Sequence, residues 1–214
     1  MIELRRLSVC SGGFALENLE LRLPAGGYGV LMGSTGSGKT TLLEAICGLR
    51  VVTGGSVLLD GVDVTRWSVG SRGIGYVPQD AGLFPLLSVR EHLAFGLELR
   101  RVSRREISRR VEEVAAALGI TPLLSRTPKH LSGGEARRVA IGRAIAFHPQ
   151  LLLLDEPLSA LDEDRRLQLL ELLRHIHREE RVTTLHVTHS SDEAAAVGEH
   201  FFRLEDGRVQ GCRL

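Results

Sequence analysis

The residues with the plainest chemistry lie between positions 33 and 40, where the chain reads Gly33-Ser34-Thr35-Gly36-Ser37-Gly38-Lys39-Thr40. This run satisfies the pattern G-x-x-x-x-G-K-S/T. It follows the short apolar run Tyr28 to Met32 and precedes Thr41 to Gly48, where Leu42, Leu43 and Ile46 recur at helical spacing. Strand, glycine loop and helix, in that order, suit phosphate binding. Glycines let backbone N–H groups turn inward around an anion, and the helix points its positive N-terminal end at the same charge. Lys39 would bring a compact charge to the β and γ phosphates of a nucleoside triphosphate. The Thr40 hydroxyl would ligate magnesium, and Thr41 extends the binding loop into the helix. The lysine is informative, because of 27 basic residues only Lys39 and Lys129 are not arginine.

Hydrolysis also needs a carboxylate for the metal and a base for the attacking water. Asp155 and Glu156 end the apolar run Leu151 to Leu154, and a strand terminus in an α/β sheet opens onto the ligand crevice. Asp155 would hold magnesium through water, and Glu156 would polarise the nucleophilic water.

These residues need a frame, and the chain supplies the signals for one. Ile2 to Val9 and Leu16 to Leu23 alternate apolar and polar residues, with Ser11-Gly12-Gly13 as the turn of an antiparallel hairpin. Ser56 to Leu59 and Ile74 to Val77 read as further strands, the second ended by Pro78. From Ser88 to about Phe147 helices take over. Ser88 with Glu91, Ser103 with Glu106 and Ser132 with Glu135 each match the capping box, and Ile107, Val111, Val114 and Leu118 form one apolar stripe. This stretch is expected to be a helical lobe, about residues 86–148, inserted between strands. Buried strands return at Leu151 to Leu154 and Thr183 to Val187, separated by an amphipathic helix from Glu163 to Glu180. A hairpin of Phe201 to Leu204 and Arg208 to Cys212 closes the chain.

Composition narrows the setting. A chain of 214 residues, 43% hydrophobic, fits one domain with an inserted lobe. Its 27 basic and 26 acidic residues nearly cancel at +1, which argues against a nucleic-acid groove or a polybasic membrane patch. Cys10, Cys47 and Cys212 are few, odd in number and widely spaced, as reduced cytosolic thiols are. No signal peptide precedes the first strand, and the apolar stretches fall far short of the ~20 residues that span a bilayer. A soluble chain is expected.

Leu131-Ser132-Gly133-Gly134-Glu135, taken with the glycine loop, Gln79, Leu154-Asp155-Glu156-Pro157, Ser159-Ala160-Leu161-Asp162 and His189, makes the whole chain resemble the nucleotide-binding subunit of an ABC transporter. The resemblance implies an α/β fold: a RecA-like P-loop NTPase core, an N-terminal antiparallel β subdomain and an inserted α-helical subdomain, with residues 1–214 forming one nucleotide-binding domain. It implies an ATPase using Mg2+, in which Gln79 senses the metal and faces the transmembrane partner, Asp162 is the D-loop aspartate and His189 contacts the γ-phosphate. Read alone, a histidine after an apolar strand is a satisfied core residue. The resemblance further implies head-to-tail pairing with a second copy, so that Ser132, Gly133, Gly134 and Glu135 cap the γ-phosphate held by the other copy. Permease subunits, and indirectly an extracytoplasmic solute-binding protein, would be the remaining partners at the cytoplasmic face of the cell membrane.

Leu83-Phe84-Pro85 and Val89 to Leu97 resemble prokaryotic importers of oxyanions, metals, polyamines and sugars. Tyr76-Val77-Pro78-Gln79-Asp80, a signature ending in Glu135 and the compact chain, for which no C-terminal regulatory domain is expected, point within that group to molybdate or tungstate. An exporter or lipoprotein-release ATPase, or an importer of sulfate, iron, polyamine or sugar, is the alternative. Three positions depart from the family pattern. Glu135 stands where glutamine is commoner and is expected to turn back onto the Ser132 N–H. Cys10 stands where an aromatic stacks on adenine, leaving Phe14 or a partner residue to substitute. Ser190 follows His189 where aspartate is frequent.

Overall fold

The computed structural model describes residues 1–212. The early alternation builds a hairpin, β1 (Ile2–Ser11) pairing antiparallel with β2 (Phe14–Leu23) around Gly12 and Gly13. On its other edge β1 pairs with β4 (Val52–Leu59), which carries the two-residue β5 (Val62–Asp63). The expectation for β4 covered only its apolar second half. Its first half, Val52 to Gly55, alternates in exposure and joins β1 through backbone bonds that no apolar run announces.

The second sheet has the order β10-β9-β3-β8-β7-β6. Strands β3 (Tyr28–Met32), β6 (Ile74–Val77), β7 (Leu151–Asp155), β8 (Thr183–Val187) and β9 (His200–Glu205) run parallel, and β10 (Arg208–Cys212) is an antiparallel edge. Every residue of β3, β7 and β8 is buried, as strands covered on both faces require. Alternation divides them between two cores. Leu31, Leu151, Leu153 and Leu185 pack with the antiparallel sheet and with α1 (Lys39–Cys47). Val30, Leu152 and Leu154 pack with the helices on the opposite face. Burying each of these leucines contributes about 1.5–3 kcal/mol.

Between β6 and β7 lie α2 (Val89–Leu99), α3 (Arg104–Ala117) and α4 (Gly133–Ile145). Helix α4 presses directly on β6 at Gly75, where any Cβ would stand 2.4 Å from the Ala144 carbonyl oxygen. The long helix α5 (Glu163–Glu180) follows β7 with the expected bounds. Two features differ from expectation. The capping box at Ser103 is half made: its Oγ accepts the Glu106 N–H at 3.3 Å, while the glutamate does not return. A further helix, α6 (Ser191–Val197), follows β8, with Ser190 as its N-cap. Its seven residues are too few to show an apolar stripe. None of the helices among the described residues is long and apolar enough to cross a membrane.

Candidate nucleotide site

The five parallel strands share one direction, so the chain leaves β3, β6, β7 and β8 on the same rim of the sheet. Gly33, Gln79, Glu156 and His189 follow those four strands within one or two residues. The topology thus gathers segments more than a hundred residues apart at the end where α/β sheets bind ligands.

Helix α1 begins there without a cap. Its N-cap is Gly38, at φ 99°, which offers no side-chain oxygen, and its first turn contains no acid. Each of α2 to α6 has a Ser or Asp side chain on its first-turn N–H groups and an acid in that turn. Among the described residues α1 alone is left open to an external anion. The left-handed φ calls for glycine at position 38, and the space where a Cβ would lie is filled by the Phe14 ring, 2.7 Å away. Phe14 itself remains 38% exposed beside the loop. Within the loop, the buried Ser37 Oγ has no hydrogen-bond partner. Lys39 is buried and donates to its own loop, to the Gly33 carbonyl at 2.9 Å and the Ser34 carbonyl at 2.8 Å. An unpartnered hydroxyl and an ammonium held only by carbonyls are groups a phosphate would satisfy.

The second cluster forms where β7 ends. Asp155 is buried, and burial pushes its carboxyl above the ordinary aspartate value, against hydrogen bonds from Thr40 and Tyr76 that favour the anion. The Tyr76 hydroxyl lies 3.4 Å from Asp155 Oδ2. Glu156 turns the chain with φ 44°, a strained left-handed value for a non-glycine residue. Its N–H donates to the Val187 carbonyl at 3.0 Å, and its own carbonyl accepts the Ser159 hydroxyl at 2.8 Å. The carboxylate therefore stands between two other predicted residues, with Gln79 Nε2 3.5 Å from one oxygen and His189 Nδ1 3.6 Å from the other. The reading of His189 as a core residue fails, since its side chain is 64% exposed. It is aimed by its neighbours: the Thr188 hydroxyl accepts the Ser190 N–H at 3.1 Å and donates to Glu193.

Magnesium fits this donor set. Thr40 and Asp155 are hard oxygen donors near enough for Thr40 to favour the Asp155 anion, with Gln79 beside the adjoining Glu156 carboxylate. Among the described residues no group of three or more His, Cys, Asp or Glu could hold a metal alone. An ion held by a hydroxyl, one carboxylate and substrate phosphates matches magnesium better than a metal needing a protein cage.

Ser132, Gly133, Gly134, Glu135 and Asp162 are not brought to the loop. Ser132 Oγ accepts the Glu135 N–H at 3.3 Å, and the Glu135 carboxylate accepts the Ser132 N–H at 2.6 Å, the full capping box. Asp162 caps α5 by accepting the Arg165 N–H at 3.0 Å. Ser132, Gly134, Glu135, Leu161 and Arg165 line one cleft of about 650 Å3, so the two segments share a face with each other and not with Lys39. Tyr76 on Asp155, Ser159 on Glu156 and the backbone strain at Glu156 were not foreseen. The only sequence signal for the first was Tyr76 preceding the terminal residue of a strand in register with β7.

Comparison with known proteins agrees with this geometry. A family model described as ABC transporter matches residues 16–159. A molybdate/tungstate import ATP-binding protein of Archaeoglobus fulgidus is 50% identical over 182 residues, covering 85% of this chain and 75% of the relative. A sulfate/thiosulfate import ATP-binding protein of Thermosynechococcus vestitus is 42% identical over 210 residues, 98% of this chain. The chain spans 62% of that relative's length, and 57% to 61% of three further molybdate/tungstate relatives. Among solved structures, the dimeric post-hydrolysis state of the ATP-binding cassette MJ0796 bound to ADP and Pi superposes with a TM-score of 0.86 at 29% identity, covering 100% of both chains. With an uncapped helix after the glycine loop, a carboxylate cluster at the strand ends, and a family model and relatives that span them, the chain belongs to the ABC transporter family.

Proposed function

We propose that this chain is an ATPase that drives an importer of an oxyanion, molybdate or tungstate. The observation that carries the ATPase reading is the uncapped N-terminus of α1, alone of its kind among the described α-helices, on the same sheet rim as Glu156, which follows a strand two places away. The loop from Gly33 to Thr41 holds the triphosphate, with N–H groups at the start of α1 and the Lys39 ammonium on the β and γ phosphates. Thr40, Asp155 and Gln79 would hold Mg2+, which neutralises charge developing between those phosphates. Glu156 takes the proton of the attacking water, and His189 contacts the γ-phosphate from the exposed side.

The separation of Ser132 to Glu135 from Lys39 supports a head-to-tail pair of copies, in which the start of α4 and Asp162 of each copy complete the other's site. The dimeric MJ0796 structures support pairing of such cassettes. Leu86 is 91% exposed and Phe84 43% exposed just after Gln79, an apolar surface suited to permease subunits at the cytoplasmic face of the membrane. The extracytoplasmic binding protein acts through them. Import, and molybdate or tungstate as cargo, are supported by the names of the 40–50% identical relatives.

Glu156→Gln tests the chemistry. It removes the base and keeps the shape, so ATP binding should persist while hydrolysis falls at least about 100-fold. Normal turnover of Glu156→Gln with its permease would remove Glu156 from the role. The cargo is tested by which oxyanion stimulates ATP hydrolysis by the reconstituted transporter with its binding protein; stimulation by sulfate alone would replace molybdate and tungstate.

A further inference from the structure

Arg137 and Arg143 lie on α4 six residues apart, about 9 Å along its axis. Both reach the same loop. Arg137 donates to the Pro78 carbonyl at 2.8 Å and the Gln79 carbonyl at 2.6 Å. Arg143 donates to the Ala81 carbonyl at 3.1 Å and the Gly82 carbonyl at 2.6 Å. Apart from Asp80, every carbonyl from residue 78 to 82 is held by one helix.

These bonds are an unusual use of charge. Arg137 is buried, and burial pushes both guanidiniums below the ordinary arginine value. Neither forms an ion pair among the described residues, although Asp80 lies near enough to favour their charge. Desolvating a cation without a carboxylate partner costs stability, so firm packing alone is a poor account of the arrangement. The loop is meanwhile strained at Ala81, which holds φ 65°, with Gly82 continuing the left-handed turn at φ 54° without strain. A left-handed alanine persists only where its surroundings over-determine it. Its far end is pinned as well, since His92 Nε2 accepts the Phe84 N–H at 2.9 Å while Nδ1 meets the Ser88 carbonyl at 2.8 Å.

We propose that Arg137 and Arg143 make residues 78–82 a rigid extension of α4, so that the seating of that helix sets where the Gln79 side chain stands against Glu156. Arg137 is the positioning residue, because its bonds fall on Gln79 and on the residue before it. The start of α4 and the Gln79 carboxamide then move as one body. A second copy engaging Ser132 to Glu135 is felt at Glu156 through two guanidiniums, with no side chain of α4 touching the reacting atoms of its own copy's site. The catalytic meaning rests on the function proposed above; the mechanical coupling does not.

The experiment uses the full chain with Arg137→Met, Arg137→Lys and, as a control, Arg110→Met. Arg110 on α3 also holds two carbonyls of this lobe, those of Ile145 and Ala146, at 3.2 and 3.0 Å, but none in the loop. Amide hydrogen exchange at Ala81, whose N–H bonds to the Pro78 carbonyl, reports the coupling. In Arg137→Met it should quicken at least about tenfold while α4 amides keep their protection. ATP affinity should stay within about twofold, kcat should fall about tenfold with KM little changed, and Arg137→Lys should recover part of both losses. Arg110→Met should leave Ala81 exchange as in the parent. Unchanged Ala81 exchange in Arg137→Met, or equal acceleration in Arg110→Met, would overturn the proposal. If Arg137→Met does not fold, Arg143→Met and Arg137→Lys give the same readings at Ala81 against the same control. A parent chain that neither binds nor hydrolyses ATP would sink the functional reading while leaving the exchange comparison intact.

Discussion

At the start of α4 two of the backbone N–H groups are already occupied: Ser132 Oγ takes that of Glu135, and the Glu135 carboxylate returns to that of Ser132. At the start of α1 the equivalent positions are Gly38, with no side chain, and Thr41, where α4 has glutamate. Two helix N-termini of one chain thus have the same backbone donors and opposite availability. The first is open to a ligand and backed by Lys39. The second closes a capping box within its own chain and presents a hydroxyl from that platform. The contrast teaches that the two glycine-bearing motifs are not equivalent phosphate cradles. On the function proposed above, the first would hold the triphosphate unaided, and the second would contribute only when a second molecule brings it a phosphate.

Giving α1 the residue that α4 carries is the most drastic way to break this comparison. Thr41→Glu places a carboxylate where it can reach back to the N-cap, and ATP affinity measured by calorimetric titration should fall about 100-fold or more. Unchanged affinity would mean that the open N-terminus is not where phosphate binds. Phe14 fills the space a cap side chain would take at Gly38 and leaves a ring face exposed. Phe14→Ala should weaken ATP about tenfold and narrow the preference for ATP over GTP, because a stacked base contributes about 1–3 kcal/mol. Equal losses for ATP and inorganic triphosphate would assign the ring a packing role only.

At α4 the expected effects are smaller. Glu135→Gln keeps a residue that also serves the capping box, so stability should change by no more than about 0.5 kcal/mol and ATP affinity should be untouched. The Ser132 N–H, then the Ser132 hydroxyl, hold the Glu135 carboxyl below the ordinary glutamate value. A carboxyl lowered by folding stabilises the fold above its unfolded value of about 4.3, and that contribution is lost as pH falls through the lower folded value. An NMR titration should find Glu135 below that reference, and a value at or above it would mean that the box is not formed in solution.

Much of the site could be read from residue order, because phosphate binding demands particular residue types at fixed local spacing. Gly33 to Thr40, Asp155 and Glu156 needed only a strand before them, and β3, β6, β8 and α5 fell where periodicity placed them. What stayed hidden depends on distance in sequence. Nothing local to Arg137 indicates that it ends on the Pro78 and Gln79 carbonyls, 59 and 58 residues earlier. The left-handed turn at Glu156 is likewise invisible, since it is stabilised by β8 and by Ser159 against its own backbone preference. Local pattern alone would bury His189, because the helix that follows it, α6, is too short to leave a pattern; only the family resemblance put it at the site.

The division of labour between α1 and α4 is tested most directly by mixing two disabled chains. Lys39→Ala removes phosphate binding and leaves the start of α4 intact, while Ser132→Arg does the reverse. Each should be inactive alone. If the two termini serve one site in different molecules, mixed pairs rebuild one intact site, and an equimolar mixture should recover roughly a quarter of parental ATP hydrolysis for a two-fold pair. A mixture no more active than its parts would contradict the account.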